Sequence, residues 1–140
     1  NDTWKFECST LSWVKLSGTL APSGRFNHSI ATINDIAIVF GGVGGRYFVP
    51  RGDLWALKNE SWDMLDNCAD PADRQGHVMI ALNNSQIFIV GGAGDGGAEN
   101  DAYLFDINNN QFSSISNIPS INCDVGMAGD SSTSNGAVLF

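Results

Sequence analysis

Short apolar runs separated by turn-forming residues make up most of this 140-residue chain. The clearest series starts with the run Ile36–Phe40, which ends at the pair Gly41–Gly42. A long loop leads to a second run that contains Trp55, and a break at Asn59–Glu60 separates it from a third run that contains Trp62. Short runs bounded by Gly, Asn and Asp predict β strands, and no stretch shows the sustained periodicity of a helix. The pattern therefore predicts an all-β fold.

The same series occurs again about 50 residues later. In both copies an Arg-x-x-His segment precedes the first apolar run, and an Asp-x-aromatic sequence and a further aromatic residue follow the double glycine. The recurring residues are Arg25, His28, Gly41, Gly42, Asp53, Trp55 and Trp62 in the first copy and Arg74, His77, Gly91, Gly92, Asp101, Tyr103 and Phe112 in the second. A period of this size is typical of propeller blades and similar arrays.

The order of these residues resembles the kelch repeat, whose unit is one four-stranded blade of a β-propeller. The resemblance covers nearly the whole chain and implies an all-β kelch-type β-propeller segment of four-stranded antiparallel blades. It implies complete blades at 25–65 and 74–115, the outer half of a blade at 1–16, and the inner half of a degenerate blade at 122–140, all within one propeller domain.

Closed propellers contain about four to eight blades, so two complete and two half blades do not make a ring. We expect the ring to be closed either by the rest of a longer chain or by association of copies. In the second case, two chains of about three blade equivalents each would close a six-bladed ring.

The chain carries a net charge of -8, with 7 Lys and Arg against 15 Asp and Glu. Nucleic-acid binding depends on clustered cations, so this charge disfavours a nucleic-acid partner. No run reaches the roughly 18 apolar residues of a membrane helix, so no membrane partner is expected. Sequons for N-glycosylation at Asn1, Asn27, Asn59 and Asn83 fit a secreted protein but are partly expected by chance. The sequence favours an intracellular location and leaves an extracellular one open.

Three cysteines cannot all pair within the chain. Cys8 is expected to lie in a strand as a small buried side chain. Cys68 and Cys123 fall in loops that lead into new blades, where a disulfide between them is conceivable. No cysteine belongs to a cluster with the spacing of a zinc site, so neither a metal nor a cofactor is expected.

The glycines and aromatic residues of the repeat have a structural interpretation, which we favour over a catalytic one. The double glycines are expected to let aromatic side chains pack against bare backbone. The aromatic residues of both copies, together with Trp4 and Trp13 in the outer half blade, are expected in the core between sheets.

The polar repeat positions are also interpreted as structural. His28 and His77 are expected to be buried, hydrogen-bonding residues that tie the innermost strand to adjacent loops. Arg25 and Arg74 are expected to brace blade to blade. Their possible partners are backbone carbonyls or the carboxylates of Asp2, Asp53 and Asp101.

The loop Val43–Gly52 is the part of the first copy that is least like the repeat. It places Arg46, Tyr47, Phe48 and Arg51 in an otherwise acidic chain, and Tyr and Arg are favoured at the centres of protein interfaces. These four residues form the candidate partner-binding site. Alternatively, the two aromatic residues fold back onto the blade.

The corresponding loop of the second copy, Ala93–Asn100, is glycine-rich and acidic. Residues 92–97 satisfy the G-x-G-x-x-G pattern of dinucleotide-binding proteins. That pattern needs a helix to begin at the last glycine, whereas here the chain leads directly into an expected strand. A nucleotide site is therefore disfavoured.

We favour a protein-protein interaction module of the kelch propeller type, which binds a protein partner through inter-strand loops on one face. One alternative is a structural segment of a larger assembly. The other is part of a kelch-like enzyme with a metal at the propeller axis. A copper oxidase of this kind needs paired Tyr and His, which here occupy repeat positions. An iron site of Glu, Asp and His could draw on Glu99 and Asp101, but His77 is a repeat position. No catalytic residue stands out in the sequence.

Overall fold

The computed structural model of the protein describes residues 2–18, 20–66 and 70–116, and the backbone of residues 127–130 and 136–139. All the regular secondary structure in these residues is β strand. In chain order the strands are β1 (Thr3–Glu7), β2 (Ser12–Leu16), β3 (Arg25–Phe26), β4 (Ser29–Ile33), β5 (Ile36–Phe40), β6 (Val43–Gly44), β7 (Val49–Pro50), β8 (Leu54–Lys58), β9 (Ser61–Asp66), β10 (Val78–Ala81), β11 (Gln86–Val90), β12 (Ala93–Gly94), β13 (Gly97–Ala98), β14 (Ala102–Asp106), β15 (Gln111–Ile115), β16 (Met127–Asp130) and β17 (Gly136–Leu139). Over the described residues, no helix is long and apolar enough to cross a membrane.

Two four-stranded sheets form the centre of the structure. The first has the strand order β4-β5-β8-β9, and the second repeats this arrangement as β10-β11-β14-β15. Neighbouring strands in both sheets are antiparallel. Two-stranded hairpins, β1-β2 and β16-β17, precede and follow them. The expected fold class, with four antiparallel strands in each complete blade, is confirmed.

Tight turns join the paired strands of the first sheet. Asn34 and Asp35 connect β4 to β5 with φ angles of 47° and 62°, and Asn59 and Glu60 connect β8 to β9 with φ angles of 49° and 64°. Two successive residues with positive φ match the right-handed twist of the flanking strands. Asn and Asp adopt this conformation more readily than most residues, which explains why these breaks in the apolar pattern become hairpin turns.

The hydrophobic core lies between the two four-stranded sheets. Because alternate residues of a strand point to the same face, β5 contributes Ile38 and Phe40 to the core and β11 contributes Ile87 and Ile89. Phe105 of β14 packs among them, and all five side chains are fully buried. The core thus follows directly from the period-two pattern of the apolar runs.

The other recurring aromatic residues are buried to different degrees. Trp55 and Tyr103 are buried, whereas Trp62 and Phe112 are half-buried. Phe112 packs at the margin of the core. On the opposite face of the first sheet, the Trp62 indole donates a hydrogen bond to the Thr3 hydroxyl at 2.9 Å. This contact joins the first sheet to the hairpin β1-β2.

The expectation that Trp4 and Trp13 are core residues is wrong, because their side chains are 49% and 64% exposed. The register of the hairpin pairs Phe6 with Trp13, so these two residues and Trp4 share one face. The rings of Phe6 and Trp13 are 5.1 Å apart. Thr3 lies on the opposite face, which meets the first sheet through Trp62. The aromatic face of the hairpin therefore points away from the core.

Cys8 also lies elsewhere than predicted. The register of the hairpin pairs Glu7 with Ser12, so the chain turns at Cys8, which is exposed. The expectation of a buried cysteine within a strand is wrong, because the hairpin closes one residue before it. Cys68 and Cys123, with the disulfide considered between them, lie outside the described residues.

The core predicts a large effect for Phe105→Ala. Emptying a fully buried aromatic site should lower the free energy of unfolding by about 3–5 kcal/mol, measured by urea denaturation. The control is Trp13→Ala, which removes a larger but exposed ring and should cost less than about 1 kcal/mol. Similar losses in the two variants would contradict the assignment of the core.

Candidate functional site

Each four-stranded sheet has a double glycine at one end, and a buried arginine side chain forms hydrogen bonds to the residues at that end. In the second copy, Nη1 of Arg74 donates to the Gly91 carbonyl at 3.1 Å and to Oδ1 of Asp101 at 2.5 Å, while Nη2 donates to Oδ2 at 2.9 Å. The guanidinium also lies 5.5 Å from the ring centre of Tyr103. Burial and the hydrogen bond that the Tyr103 hydroxyl donates to Asp70, at 2.6 Å, raise the pKa of that tyrosine. The arginine side chain has no exposed surface.

The first copy repeats these contacts. Arg25 donates to the Gly41 carbonyl at 2.9 Å and to both oxygens of Asp53 at 2.7 Å. Burial alone would raise the pKa of Asp53, but Arg25 and the Trp55 indole, which donates at 2.6 Å, hold it below its ordinary value. The arginine side chains therefore brace their own repeat rather than blade to blade, because the aspartate after each double glycine lies within reach on the same sheet.

Backbone hydrogen bonds connect the two repeats instead. The Gly42 amide donates to the Arg74 carbonyl at 2.8 Å, and the Arg74 amide donates to the Arg51 carbonyl at 3.0 Å. A third bond runs from the Gly76 amide to the Asn27 carbonyl at 2.9 Å. These bonds hold the loop that follows Gly42 against the second Arg-x-x-His segment.

The first double glycine is required by its backbone conformation and by this close approach. Gly41 and Gly42 have φ angles of 63° and 92°. A Cβ atom at Gly41 would lie 2.6 Å from the Arg74 carbonyl oxygen and 2.8 Å from Cε1 of His77. The neighbours of the glycines are thus the Arg-x-x-His segments and not the aromatic side chains that were expected there.

The two repeat histidines have different environments. His77 is 4% exposed and packs against the edge of Phe40 with ring centres 5.2 Å apart. Neither of its ring nitrogens makes a hydrogen bond. Burial, followed by repulsion from Arg74 and His28, lowers its pKa to about 3. His77 is therefore neutral at physiological pH.

The expectation that both histidines are buried and hydrogen-bonded is wrong for both. His28 is exposed, whereas His77 is buried but makes no hydrogen bond through its ring. The sheet that covers His77 is four-stranded and brings Phe40 and Gly41 onto the ring. The first sheet faces the hairpin β1-β2, which has only two strands in the described residues, and a groove lined by His28, Asp2 and Trp62 lies between them.

The candidate loop forms a small sheet at the double-glycine end of the first blade. Strands β6 and β7 pair with each other, and β6 also pairs with β3. Tyr47 is 79% exposed and Phe48 is 65% exposed. The Arg46 guanidinium lies 5.9 Å from the ring centre of Tyr47, and the rings of Phe48 and Phe26 meet edge to face at 5.9 Å. The two loop aromatics project from the surface and do not fold into the core.

A cavity of about 500 Å³ opens beside this loop. Its walls include Arg46, Tyr47 and Arg51 from the loop, Met64 from β9, and Asp73 from the segment that leads into the second blade. The Nε atom of Arg51 is buried and has no hydrogen-bond partner. The structure thus brings three of the four predicted binding residues onto one cavity, while Phe48 lies beside Phe26.

The corresponding loop of the second blade has a similar backbone arrangement but different side chains. Strands β12 and β13 form a two-stranded hairpin, and the Glu99 amide donates to the Gly92 carbonyl at 2.9 Å, as the Arg51 amide does to the Gly42 carbonyl. The G-x-G-x-x-G sequence therefore lies in a hairpin and starts no helix, which removes the basis of a dinucleotide site.

The residues considered for an iron site are engaged in other ways. Asp101 is bound by Arg74, and His77 is buried against Phe40. Among residues 2–18, 20–66 and 70–116, no group of three or more His, Cys, Asp or Glu side chains has the arrangement of a metal site.

Comparison with known proteins bears on this arrangement of blades and loops. The KLHDC2/KLHL20/DRC7 Kelch-repeats domain matches residues 1–140. This chain belongs to the kelch-repeat family. Kelch-repeat domains are generally propeller modules for protein interaction.

Among curated relatives of this kelch chain, Adagio-like protein 3 of Oryza sativa subsp. japonica is 33% identical over 71% of the chain and 16% of its own length. Kelch domain-containing protein 1 of Mus musculus is 27% identical over 85% of the chain and 30% of its own length. Rho GTPase-activating protein gacHH of Dictyostelium discoideum is 37% identical over 61% of the chain and 6% of its own length. The kelch chain thus spans less than a third of each relative.

Sequence reasoning missed three residues beside the candidate loop. Phe26 and Met64 are ordinary strand residues in the pattern, and Asp73 lies just before the second Arg-x-x-His segment. The alternation of β3 and β9 could have placed the first two on the surface. No local signal indicates that Asp73 meets a loop about twenty residues earlier in the chain.

The environment of His77 predicts an acid-sensitive stability. An unfolded histidine binds a proton below about pH 6.5, whereas folded His77 resists protonation down to its pKa of about 3. Stability is therefore complete above about pH 6.5 and falls as the pH is lowered toward 3, because the unfolded state binds more protons. Urea denaturation across this range should show a shallower acid loss for His77→Leu than for the wild type.

The matched control for this prediction is His28→Leu, which alters the exposed histidine at the same repeat position. It should retain most of the acid loss of the wild type. An unchanged pH profile in His77→Leu would show that the buried imidazole does not govern this dependence.

Proposed function

We propose that this kelch chain binds a partner protein through the loop Val43–Gly52, with Arg46, Tyr47, Phe48 and Arg51 as the contact residues. The observation that carries the proposal is the outward projection of Tyr47 and Phe48 beside two arginines. Exposed aromatic and arginine side chains in one patch have the composition of interface hot spots.

The frame of the loop favours binding with little loss of conformational freedom. Strands β6 and β7 of the loop pair with each other, and β6 also pairs with β3. The Arg51 amide donates to the Gly42 carbonyl at 2.9 Å. The adjacent Gly42 is itself held by Arg74 of the next blade. A loop fixed at its base is already ordered before a partner arrives, so less entropy is lost on association.

The chemistry of the patch indicates the kind of partner surface. The chain as a whole has a net charge of -8, yet this loop contributes two positive charges and no negative one between Val43 and Arg51. Guanidinium groups pair well with carboxylates, and the rings of Tyr47 and Phe48 offer apolar area. We infer a partner segment that combines acidic and apolar side chains.

Replacement of Arg46 and Tyr47 together by alanine tests the proposal. Pull-downs from lysates of the source cells, quantified by mass spectrometry, should lose the specific partner. The melting temperature should change by less than about 2 °C, because exposed loop residues contribute little to stability.

The matched control is the double variant Trp13→Ala and Lys15→Ala, which removes an exposed aromatic residue and a cation from the hairpin β1-β2. It should capture the same partner as the wild type. Retention of that partner by the Arg46 and Tyr47 variant would exclude the loop as the binding site. A large fall in its melting temperature would place the side chains in the structural framework instead.

A further inference from the structure

We propose that the His77 side chain is a proton-sensitive contact that holds the base of the loop Val43–Gly52 on the second blade at neutral pH and releases it in acid. The inference rests on the proposed function, because it assigns a means of regulation to the same loop. The opening concerns one end of the first blade, while both four-stranded sheets stay folded.

The imidazole of His77 lies where the first blade meets the second. The end of β5 in the first blade, at Phe40 and Gly41, covers the ring and is called here the covering strand end. The ring centres of His77 and Phe40 are 5.2 Å apart, and a Cβ atom at Gly41 would lie 2.8 Å from Cε1 of the histidine. The side chain is 4% exposed, and among the described residues neither buried ring nitrogen has a hydrogen-bond partner. An imidazolium, which carries two N–H donors, is therefore poorly accommodated at this site.

The charges around the ring also oppose its protonation. Arg74 belongs to the same segment and His28 to the equivalent segment of the first repeat, and both repel a proton on His77. The Asp101 carboxylate at this end of the blade is paired with Arg74. In the described part of the chain, the other elements packed against His77 contribute residues without ionisable side chains, namely Ser29, Phe40, Gly41 and Gly92.

The covering strand end leads directly into the base of the loop. The Gly42 amide donates to the Arg74 carbonyl at 2.8 Å, and the Arg74 amide donates to the Arg51 carbonyl at 3.0 Å. These two bonds attach both ends of the loop to the segment that carries His77. Water reaches the imidazole when the covering strand end moves away from that segment, and the same movement breaks both bonds. Protonation of the ring and release of the loop base are therefore coupled.

The opening can stay local because the loop has a small sheet of its own. In the described structure, β3, β6 and β7 pair with one another and not with either four-stranded sheet. Residues 43–52 contribute nothing to the core cluster between those sheets. Segments with few buried apolar contacts open at a lower free energy than the core, so the loop base can detach while the blades stay folded.

The direction of the pH dependence follows from the two states of the ring. Burial, followed by repulsion from Arg74 and His28, lowers the pKa of His77 to about 3 in the closed state, whereas a solvated histidine has a pKa of 6.5. The open state therefore binds more protons between these values. The contact is complete above about pH 6.5 and weakens as the pH falls toward 3.

Amide hydrogen exchange of the full chain, followed by NMR from about pH 7 to about pH 4.5, tests the proposal. After correction for the intrinsic pH dependence of exchange, protection of the Gly42, Arg51 and Arg74 amides should fall by about tenfold per pH unit below about pH 6. Low concentrations of urea should not change this loss, because a local opening exposes little surface. The Glu99 amide, which makes the equivalent bond to Gly92 in the second loop, is the internal control and should keep its protection.

Two variants assign the effect to one side chain. His77→Leu keeps an apolar side chain at the site and removes the titration, so the three amides should stay protected at about pH 4.5. The matched control is His28→Leu, which alters the exposed histidine at the same repeat position and should follow the wild type.

Three results would overturn the inference: protection in the wild type that does not change with pH, a loss that depends on urea as strongly as that of the core amides, or an equal loss in His77→Leu. The first two use the wild type alone and do not depend on the folding of a variant.

The exchange measurement needs no partner, so it is separate from the test of the proposed function. If protection changes as expected but loop substitutions leave partner capture unchanged, the His77 contact stands and the proposed function fails. If capture depends on the loop but protection does not change with pH, the reverse holds.

Discussion

The ion pair between the buried Arg74 and the partly exposed Asp101, repeated as Arg25 and Asp53, is the interaction on which the rest of the structure depends. The Arg74 side chain has no exposed surface, so its charge must be satisfied from within the protein. It is satisfied by the Asp101 carboxylate and by the carbonyls of Gly91 and Ala72. One side chain thereby fixes the start of the blade, the end of the second strand and the start of the third.

Because this ion pair holds the strand ends in place, loops with different side chains can have the same backbone arrangement. In both blades the residue that follows the short hairpin returns a hydrogen bond to the second glycine of the pair, from Arg51 to Gly42 and from Glu99 to Gly92. The first loop carries arginines and aromatic residues, whereas the second is rich in glycine and acidic residues. A rigid scaffold with variable loops is the usual basis of binding function, and the proposed site lies in the more distinctive loop.

The sequence predicted the sheets well because strands and turns are determined by residues that are close together in the chain. Strand ends, turns and the alternation that buries Ile38 and Phe40 are properties of a few neighbouring residues. The predictions failed for Trp4, Trp13 and His28, whose burial depends on what covers one face of a hairpin or sheet. The repeat position alone does not contain that information.

The candidate site was predictable only in part, for the same reason. The unusual composition of the loop pointed to Arg46, Tyr47, Phe48 and Arg51. The cavity, however, also needs Asp73 and Met64, which reach it from the next blade and from β9. Contacts between residues far apart in the chain, such as the backbone bonds of Arg74 to Gly42 and Arg51, bring these parts together.

A double-mutant cycle on Arg74 and Asp101 tests the central claim most directly. Urea denaturation of Arg74→Met, Asp101→Leu and the double variant gives the coupling free energy between the two side chains. Asp101→Leu should lose about 3 kcal/mol or more, because it leaves the buried Arg74 charge without its partner. Arg74→Met should lose less, because the Asp101 carboxylate that it leaves is partly exposed. The double variant should lose no more than Asp101→Leu, which corresponds to a large coupling. Additive losses would contradict the account, since they would show that the two residues stabilise the blade independently.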